Sequence, residues 1–514
     1  MDELRLSNEN LSALSREILR PTYDRSHLTP GIVHIGLGNF HRAHQSWYLH
    51  RLMQQGQALD WGIIGAGVRP GDEKQRKRLA AQDYLTTLIE LDPKGCSAEI
   101  VGSMIGFVPV ENDNACLIAQ MADPAIRIVA LTVTEGGYYI DPVTKAFDAD
   151  HVDIKHDAAH PDRPKTAFGA MIAALKQRRA DGTGPFTGQS CDNLQGNGAI
   201  LRQTLVSLAR LSDADLAHWI DTNCAFPNSM VDCIVPATGP KELELVKTFG
   251  ILDAAPVTHE NFRQWVIEDE FCAGRPNWDN AGATLTDDVH AFETMKIRLL
   301  NGSHQLIANA GEILSIEFIS DCMNHPLIGN FARRVAKSEI APQTQPVPDM
   351  TATDYVDLVD NRFSNPEIID TVRRVAFDGA SRHPGFILPT LRDALAKEQP
   401  MDGLALSQAI WARMCDGKRE DGSVIEPNDP IWDKLNAAAK AAKADPQAWL
   451  RQRDLYGDLA DNAAFQDRFG HWLALIWSRG LEATLSAYLQ RIKQDESHRF
   501  YRKEPSCVHP ITEP

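Results

Sequence analysis

The 514-residue sequence has no pair of cysteines spaced for metal or redox chemistry. Its nine cysteines, at 96, 116, 191, 224, 233, 272, 322, 415 and 507, form no CxxC and are odd in number. That excludes a zinc ribbon or a disulfide framework and points to reduced thiols, so no metal site is expected. Positive charge is also scarce: 52 Lys and Arg stand against 69 Asp and Glu, a net charge of -17. Polyanions are held by clustered Lys and Arg, so nucleic acid and an anionic membrane surface are excluded as partners. No segment approaches eighteen uninterrupted apolar residues, and the opening MDELRLSNENLSALSREILRPTYDRSHLTP has neither the apolar core nor the small-residue cleavage site of a signal peptide. A cytoplasmic location is therefore expected. Internal repeats and low-complexity linkers are missing too, which excludes a solenoid.

What is present is ordinary globular composition, 43% hydrophobic and 24% charged, on a chain longer than one core supports. GIVHIGLG (31–38) is a β-branched run ending in glycines, NFHRAHQSWYLHRLMQQG (39–56) reads as one helix, and DWGIIGAGVRPGD (60–72) is a second buried strand closed by a Pro-Gly turn. Strand, helix, strand is the βαβ unit of a parallel sheet. Strands at 84–92, 98–110 and 126–134 and helices at 114–123, 165–180 and 197–210 extend the alternation into a doubly wound, Rossmann-type α/β domain over 1–285. From 286 to 514 the apolar period turns helical, giving a mainly α-helical second domain that carries substrate and catalysis, with 496–514 as a loose end.

GLGNFHRA sets Gly36 and Gly38 at the spacing of a dinucleotide loop, although the third glycine of GxGxxG falls at His41; Ala43 can supply the close helix–sheet approach instead. In that reading Gly36, Leu37 and Gly38, with Asn39 and Phe40 opening the helix, bind the cofactor, and the helix N-terminus stabilises its pyrophosphate. A plain strand-to-helix turn is the alternative. At the end of the second strand, Asp72 would accept hydrogen bonds from an adenine ribose and favour NAD, whereas Arg69 would pair with a 2′-phosphate and favour NADP. Repulsion of a 2′-phosphate by Asp72 makes NAD the expected cofactor.

KIRLLNGSH (296–304) sets a lysine, an asparagine and a histidine on an otherwise apolar or small stretch. At 100° per residue all three fall within about 140° and can face one cavity. A lysine against an apolar wall loses solvation in its charged form, which suits it to act as a base on an alcohol. Asn301 and His304 can then hold the oxygen that becomes a carbonyl. The alternative is a domain-boundary helix whose lysine reaches solvent.

Taken together, GIVHIGLGNFHRAHQ (31–45), LTVTEGGYY (131–139), SCDN (190–193), FPNSMVD (226–232), FRQWVIEDEF (262–271) and KIRLLNGSH (296–304) resemble the polyol-specific long-chain dehydrogenases, the mannitol 2-dehydrogenase family, over essentially the whole chain. The resemblance implies that Lys296 is the general base, that Asn301 and His304 bind the reacting oxygen, and that Glu293 lies on the proton path to solvent. It assigns Asn193, Asp232, Arg374 and Arg382 to the substrate, with Phe377 standing where some members have histidine. TEGGYY follows a strand, so its backbone, Glu135 and Gly136 included, is expected near the nicotinamide, with a Gly-Gly hairpin turn as the other reading. Hexuronate reductases of this family often carry lysine where this chain has Gly136, which favours a neutral polyol. The expected activity is zinc-independent, NAD-dependent oxidation of a mannitol-like alditol to its ketose, by a monomer or weak homo-oligomer. A nucleotide-sensing protein that has lost catalysis would be expected to lose Lys296 or Asn301, and both are present.

Overall fold

The computed structural model describes residues 3–141 and 146–501, without the side chains of Glu135 and of 492–501. The chain divides into two compact units, the first ending at Glu293 and the second beginning at Thr294.

The first unit is built on a five-stranded parallel sheet: β1 (Pro30–Ile35), β2 (Gly62–Ala66), β3 (Met104–Phe107), β4 (Ile128–Leu131) and β5 (Thr187–Ser190). Their order is β3-β2-β1-β4-β5, every pair parallel. Alternation along β1 explains why both faces are covered. Val33 and Ile35 join Val129 and Leu131 in one core under the helices Ala167–Ala180 and Asn197–Arg210. Ile32 joins Ile63 and Ile128 in the other, against Tyr48, Leu49, Leu52 and Met53 of the helix Gln45–Gln54. A strand buried on both faces reads as a continuous branched run, and GIVHI is one. A two-stranded pairing of Leu4–Arg5 with Ile251–Leu252 and two three-stranded sheets accompany the five-stranded sheet. One sets Thr86–Leu91 between Ser97–Val101 and Val257–Glu260, and the other sets Gln264–Glu268 between Ser229–Asp232 and Thr284–Thr286.

Two sequence expectations are corrected here. The helix expected over 39–56 is two helices, Asn39–Ala43 and Gln45–Gln54, broken at His44 with φ -117° and ψ -89°. Buried His44 turns its Nε2 to the Gln264 carbonyl at 2.9 Å, a tertiary bond that helical periodicity does not report. The strand expected over 98–110 is likewise two, Ser97–Val101 and Met104–Phe107, which leave Gly102 and Ser103 as the crossing between different sheets. Buried Ser103 fixes that crossing by donating to the Ser46 carbonyl at 2.6 Å.

The second unit is helical. Gly302–Ile313 and Asp402–Met414 are buried on nearly every side, as expected of helices at the centre of a bundle. The stretch 295–319, read from its apolar period as helical, contains a π-helical turn, Lys296–Asn301, in which the Gly302 N–H donates to the Ile297 carbonyl, an i→i+5 bond. A second π-turn, Ala336–Ile340, carries Glu339, whose buried carboxylate accepts from the N–H groups of Gly403 (2.8 Å) and Leu404 (2.9 Å) at the start of Asp402–Met414. The closing helix runs Leu481–Tyr501, through part of the stretch expected to be loose, and 502–514 lie outside the described residues. Among the described residues no helix is long and apolar enough to cross a membrane.

Candidate active site

In a doubly wound sheet the ligand crevice lies at the carboxyl ends of the strands where the order reverses, here between β1 and β4. A cavity of about 1110 Å³ opens there, walled by the turn after β1 (Gly36, Leu37, Gly38), the end of β2 (Gly67, Val68, Arg69, Asp72) and the turn after β4 (Thr132, Val133, Thr134, Gly136, Gly137, Tyr139). Lys165 and Phe168 also line it. Gly36 has φ +94°, and a side chain there would run into the Thr132 carbonyl, so the tight turn requires glycine. Gly38 and Gly136 have open space where a Cβ would stand, which lets a ligand approach the backbone. These features fit a dinucleotide: a glycine cradle for the phosphates and, at Asp72, a carboxylate beside the end of β2. Asp72 accepts from the Arg69 N–H at 3.0 Å and covers Gly67, while Arg69 is exposed.

The cavity wall does not include Asn39 or Phe40. The Asn39 amide donates to the Pro236 carbonyl and to Thr238 Oγ1, both at 2.9 Å, and Phe40 stacks on His44 at 4.8 Å between centroids. Since the helix they open is only five residues long, its dipole adds little to the cradle. Glu135 stands in the 3-10 turn Glu135–Tyr138 directly after β4.

Glu293 is 5% exposed; its Oε1 accepts from the Gly196 N–H at 3.0 Å and His290 Nδ1 lies 3.5 Å from its Oε2. Burial raises its pKa above the usual carboxylate range, against the lowering effect of those two partners. Asn193, exposed, lies three residues before Gly196, and Asp232, buried, ends the strand Ser229–Asp232.

In the helical unit Lys296 is 8% exposed. It opens the π-turn that Asn301 closes. On an α-helix residues five apart diverge by about 140°. The wider π-turn, closed by i→i+5 bonds, returns the fifth residue towards the same side. His304, on the first turn of Gly302–Ile313, stacks on Phe363 with centroids 3.9 Å apart and planes at 10°. Its pKa is pushed down to about 3, chiefly by burial; Asp370 opposes the shift, and Arg374, Arg362 and Arg382 reinforce it. His304 is therefore neutral near pH 7, with one ring nitrogen a donor and the other an acceptor. Arg374 is fixed by a bidentate pair with Asp370 (2.7 and 2.6 Å), and Arg382 donates to the Val375 carbonyl at 2.6 Å. The structure thus gathers His304, Arg374 and Arg382 around one locus, and Phe377 is 50% exposed.

Sequence reasoning missed Arg362, Phe363 and Asp370, which belong to this locus, and Asp192, one residue before the Asn193 it singled out. An acidic residue between a strand and its following turn is the signal for Asp192. Nothing in local pattern connects 304 to 362, 363 or 370.

These features define a two-unit protein of the doubly wound dinucleotide-binding class, with a helical second unit that carries a buried lysine on a π-turn. The family model of the mannitol dehydrogenase Rossmann domain matches residues 30–280, and that of the mannitol dehydrogenase C-terminal domain matches 288–477. The chain belongs to the mannitol dehydrogenase family. It is 54% identical to a mannitol 2-dehydrogenase of Cereibacter sphaeroides over 93% of this chain and 100% of that one. It is 38% identical to one from Aspergillus terreus over 95% of this chain and 100% of that one. Among solved structures, the Pseudomonas fluorescens mannitol 2-dehydrogenase ternary complex with NAD and D-mannitol matches at 39% identity and TM-score 0.83, covering 95% of this chain and 100% of that one. A D-sorbitol dehydrogenase in substrate-free form matches at 32% and 0.88, covering 93% and 100%.

Proposed function

We propose that this protein is an NAD-dependent mannitol 2-dehydrogenase, oxidising a mannitol-like alditol at C2 to the ketose. The observation that carries this reading is full-length likeness to a protein whose structure holds both NAD and D-mannitol, together with the glycine-walled cavity at the switch point of this chain's own sheet. Bound NAD supplies the hydride acceptor. Gly36, Gly38 and Gly136 admit its backbone-facing groups, and Asp72 receives the adenine ribose hydroxyls and repels a 2′-phosphate. Lys296 takes the proton of the substrate hydroxyl. Asn301 donates to the oxygen as its negative charge develops, and His304, neutral, fixes its position. Glu293, pushed towards its protonated form by burial, passes the proton on to solvent. Asn193, Asp232, Arg374 and Arg382 bind the remaining hydroxyls.

The test is a screen of alditols and hexuronate-derived aldonates with NAD and NADP, read as nicotinamide absorbance. Oxidation of D-mannitol with NAD, and of aldonates far more slowly, is expected. Activity confined to aldonates would overturn the polyol assignment, and preference for NADP would reverse the role of Asp72.

A further inference from the structure

We propose that Asp192 is a positioning residue that holds the turn after β4 in its cofactor-facing shape. This rests on reading the 1110 Å³ cavity as the dinucleotide site. The turn contributes Thr132, Val133, Thr134, Gly136, Gly137 and Tyr139 to the cavity wall. Thr134 stands at φ 71° and ψ 160°, a region a β-branched residue rarely enters, and Tyr139 at the other end has φ 55°. Such backbone persists only where its surroundings over-determine it.

Asp192 provides that determination. Its Oδ1 accepts from the Thr134 N–H at 2.8 Å, and its Oδ2 accepts from the Val133 N–H at 3.0 Å and from the Tyr138 hydroxyl at 2.7 Å. One carboxylate thus holds both ends of the 3-10 turn Glu135–Tyr138. Asp192 is itself fixed, because its carbonyl accepts from Asn197 Nδ2 at 3.0 Å and from the Leu194 N–H at 2.8 Å. Tyr138, fully buried, is further held by its hydroxyl against Ser190 Oγ at 2.5 Å and by its carbonyl, which accepts from Thr204 Oγ1 at 3.0 Å. A carboxylate that accepts from two adjacent backbone N–H groups has no isosteric substitute: an amide brings an NH₂ group against one of them. Asp192 touches neither substrate nor cofactor in this role. It acts through Val133, Thr134 and Tyr138.

The test is a double-mutant cycle in the full chain between Asp192→Asn and Thr134→Gly, because glycine adopts φ 71° without strain. Asp192→Asn should lower kcat for NAD-linked mannitol oxidation by about 10–100-fold, as misplacement of a bound reactant does, with the mannitol KM changed much less. The same substitution in the Thr134→Gly background should cost several-fold less, since less strain then depends on the carboxylate. Tyr138→Phe, which removes one donor and keeps the carboxylate, should show the same coupling at smaller size, and it serves if Asp192→Asn does not fold. Equal losses in the two backgrounds, or an Asp192→Asn enzyme within twofold of wild type, overturn the inference alone. A wild type that oxidises no alditol with either nucleotide overturns the functional reading, and this inference with it.

Discussion

Lys296, 8% exposed at the opening of a π-turn, is the side chain on which the proposed chemistry depends most. Lys296→Ala should lower kcat by ~10²–10⁴, the usual value of a positioned base, while the NADH dissociation constant measured by protein fluorescence changes little. Near-wild-type turnover at neutral pH in that variant would remove Lys296 from the mechanism. Asp72 makes a second single-residue case. Its carboxylate accepts from the Arg69 N–H, so Asp72→Ala frees the turn as well as removing the charge proposed to exclude a 2′-phosphate. The ratio of kcat/KM for NAD to that for NADP should fall by about tenfold or more, the effect of an interaction worth 1.4 kcal/mol. An unchanged ratio would mean that the carboxylate does not read the ribose.

Among the elements, the π-turn Lys296–Asn301 has the sharpest consequence. A π-bulge is one residue more than an α-helix needs, absorbed locally, so deleting Ile297 should restore α-helical hydrogen bonding while leaving the flanking helices in register. That deletion leaves Lys296 and the asparagine four apart, about 40° from each other on an α-helix, so both still face one side. Turnover should stay within about tenfold of wild type, with far-ultraviolet circular dichroism and the thermal midpoint close to wild type, because the two groups remain neighbours on one helix face. A loss of ~10²-fold or more would show that the chemistry needs the wider turn itself. Elements set by a local pattern were legible in the sequence: the expected helices at 165–180 and 197–210 stand at Ala167–Ala180 and Asn197–Arg210. The break at His44 and the crossing at Gly102–Ser103 were not, because the Gln264 carbonyl and the Ser46 carbonyl that decide them lie far away in sequence. The π-turn was invisible for another reason. One inserted residue shifts the apolar period too little to register in a nine-residue stretch.

Across the whole molecule, burial holds a set of histidines neutral. His41 is pushed down to about 4, and His44, His259, His304 and His383 to about 3, with desolvation the largest cause in every case. In the unfolded chain they titrate near 6.5, so between about pH 6.5 and 3 the unfolded state binds protons that the folded state refuses. Their contribution to stability is full above that window and is lost as pH falls through it. Glu339 acts oppositely. Burial raises it to about 7, despite the bonds from Gly403, Leu404 and Tyr488, so its contribution is full below the ordinary carboxylate range and is lost as pH rises through 7. Five histidines outweigh one carboxyl, and the urea midpoint should fall steadily from pH 7 to pH 5. A midpoint that is flat or rises on acidification would mean that these imidazoles are protonated in the folded state. Glu339→Gln should steepen the fall, because it removes the opposing group.

Local pattern was enough to read the alternating strands and helices and the turn at Gly36, and to single out Lys296, Asn301, His304, Arg69 and Asp72 as candidates, because each depends on neighbours within a few positions or on a short string of rare residues. Which side chains share a locus was settled by long-range packing. It set Asp370 and Arg362 around His304, drew Asn39 into bonds with Pro236 and Thr238, and put Asp192 under the backbone of Val133 and Thr134. These partners are between 58 and 199 residues apart in the bonds that join them to the turn and to Asn39. Pairing over such distances is fixed by the closure of sheet and bundle, and local periodicity has no access to it.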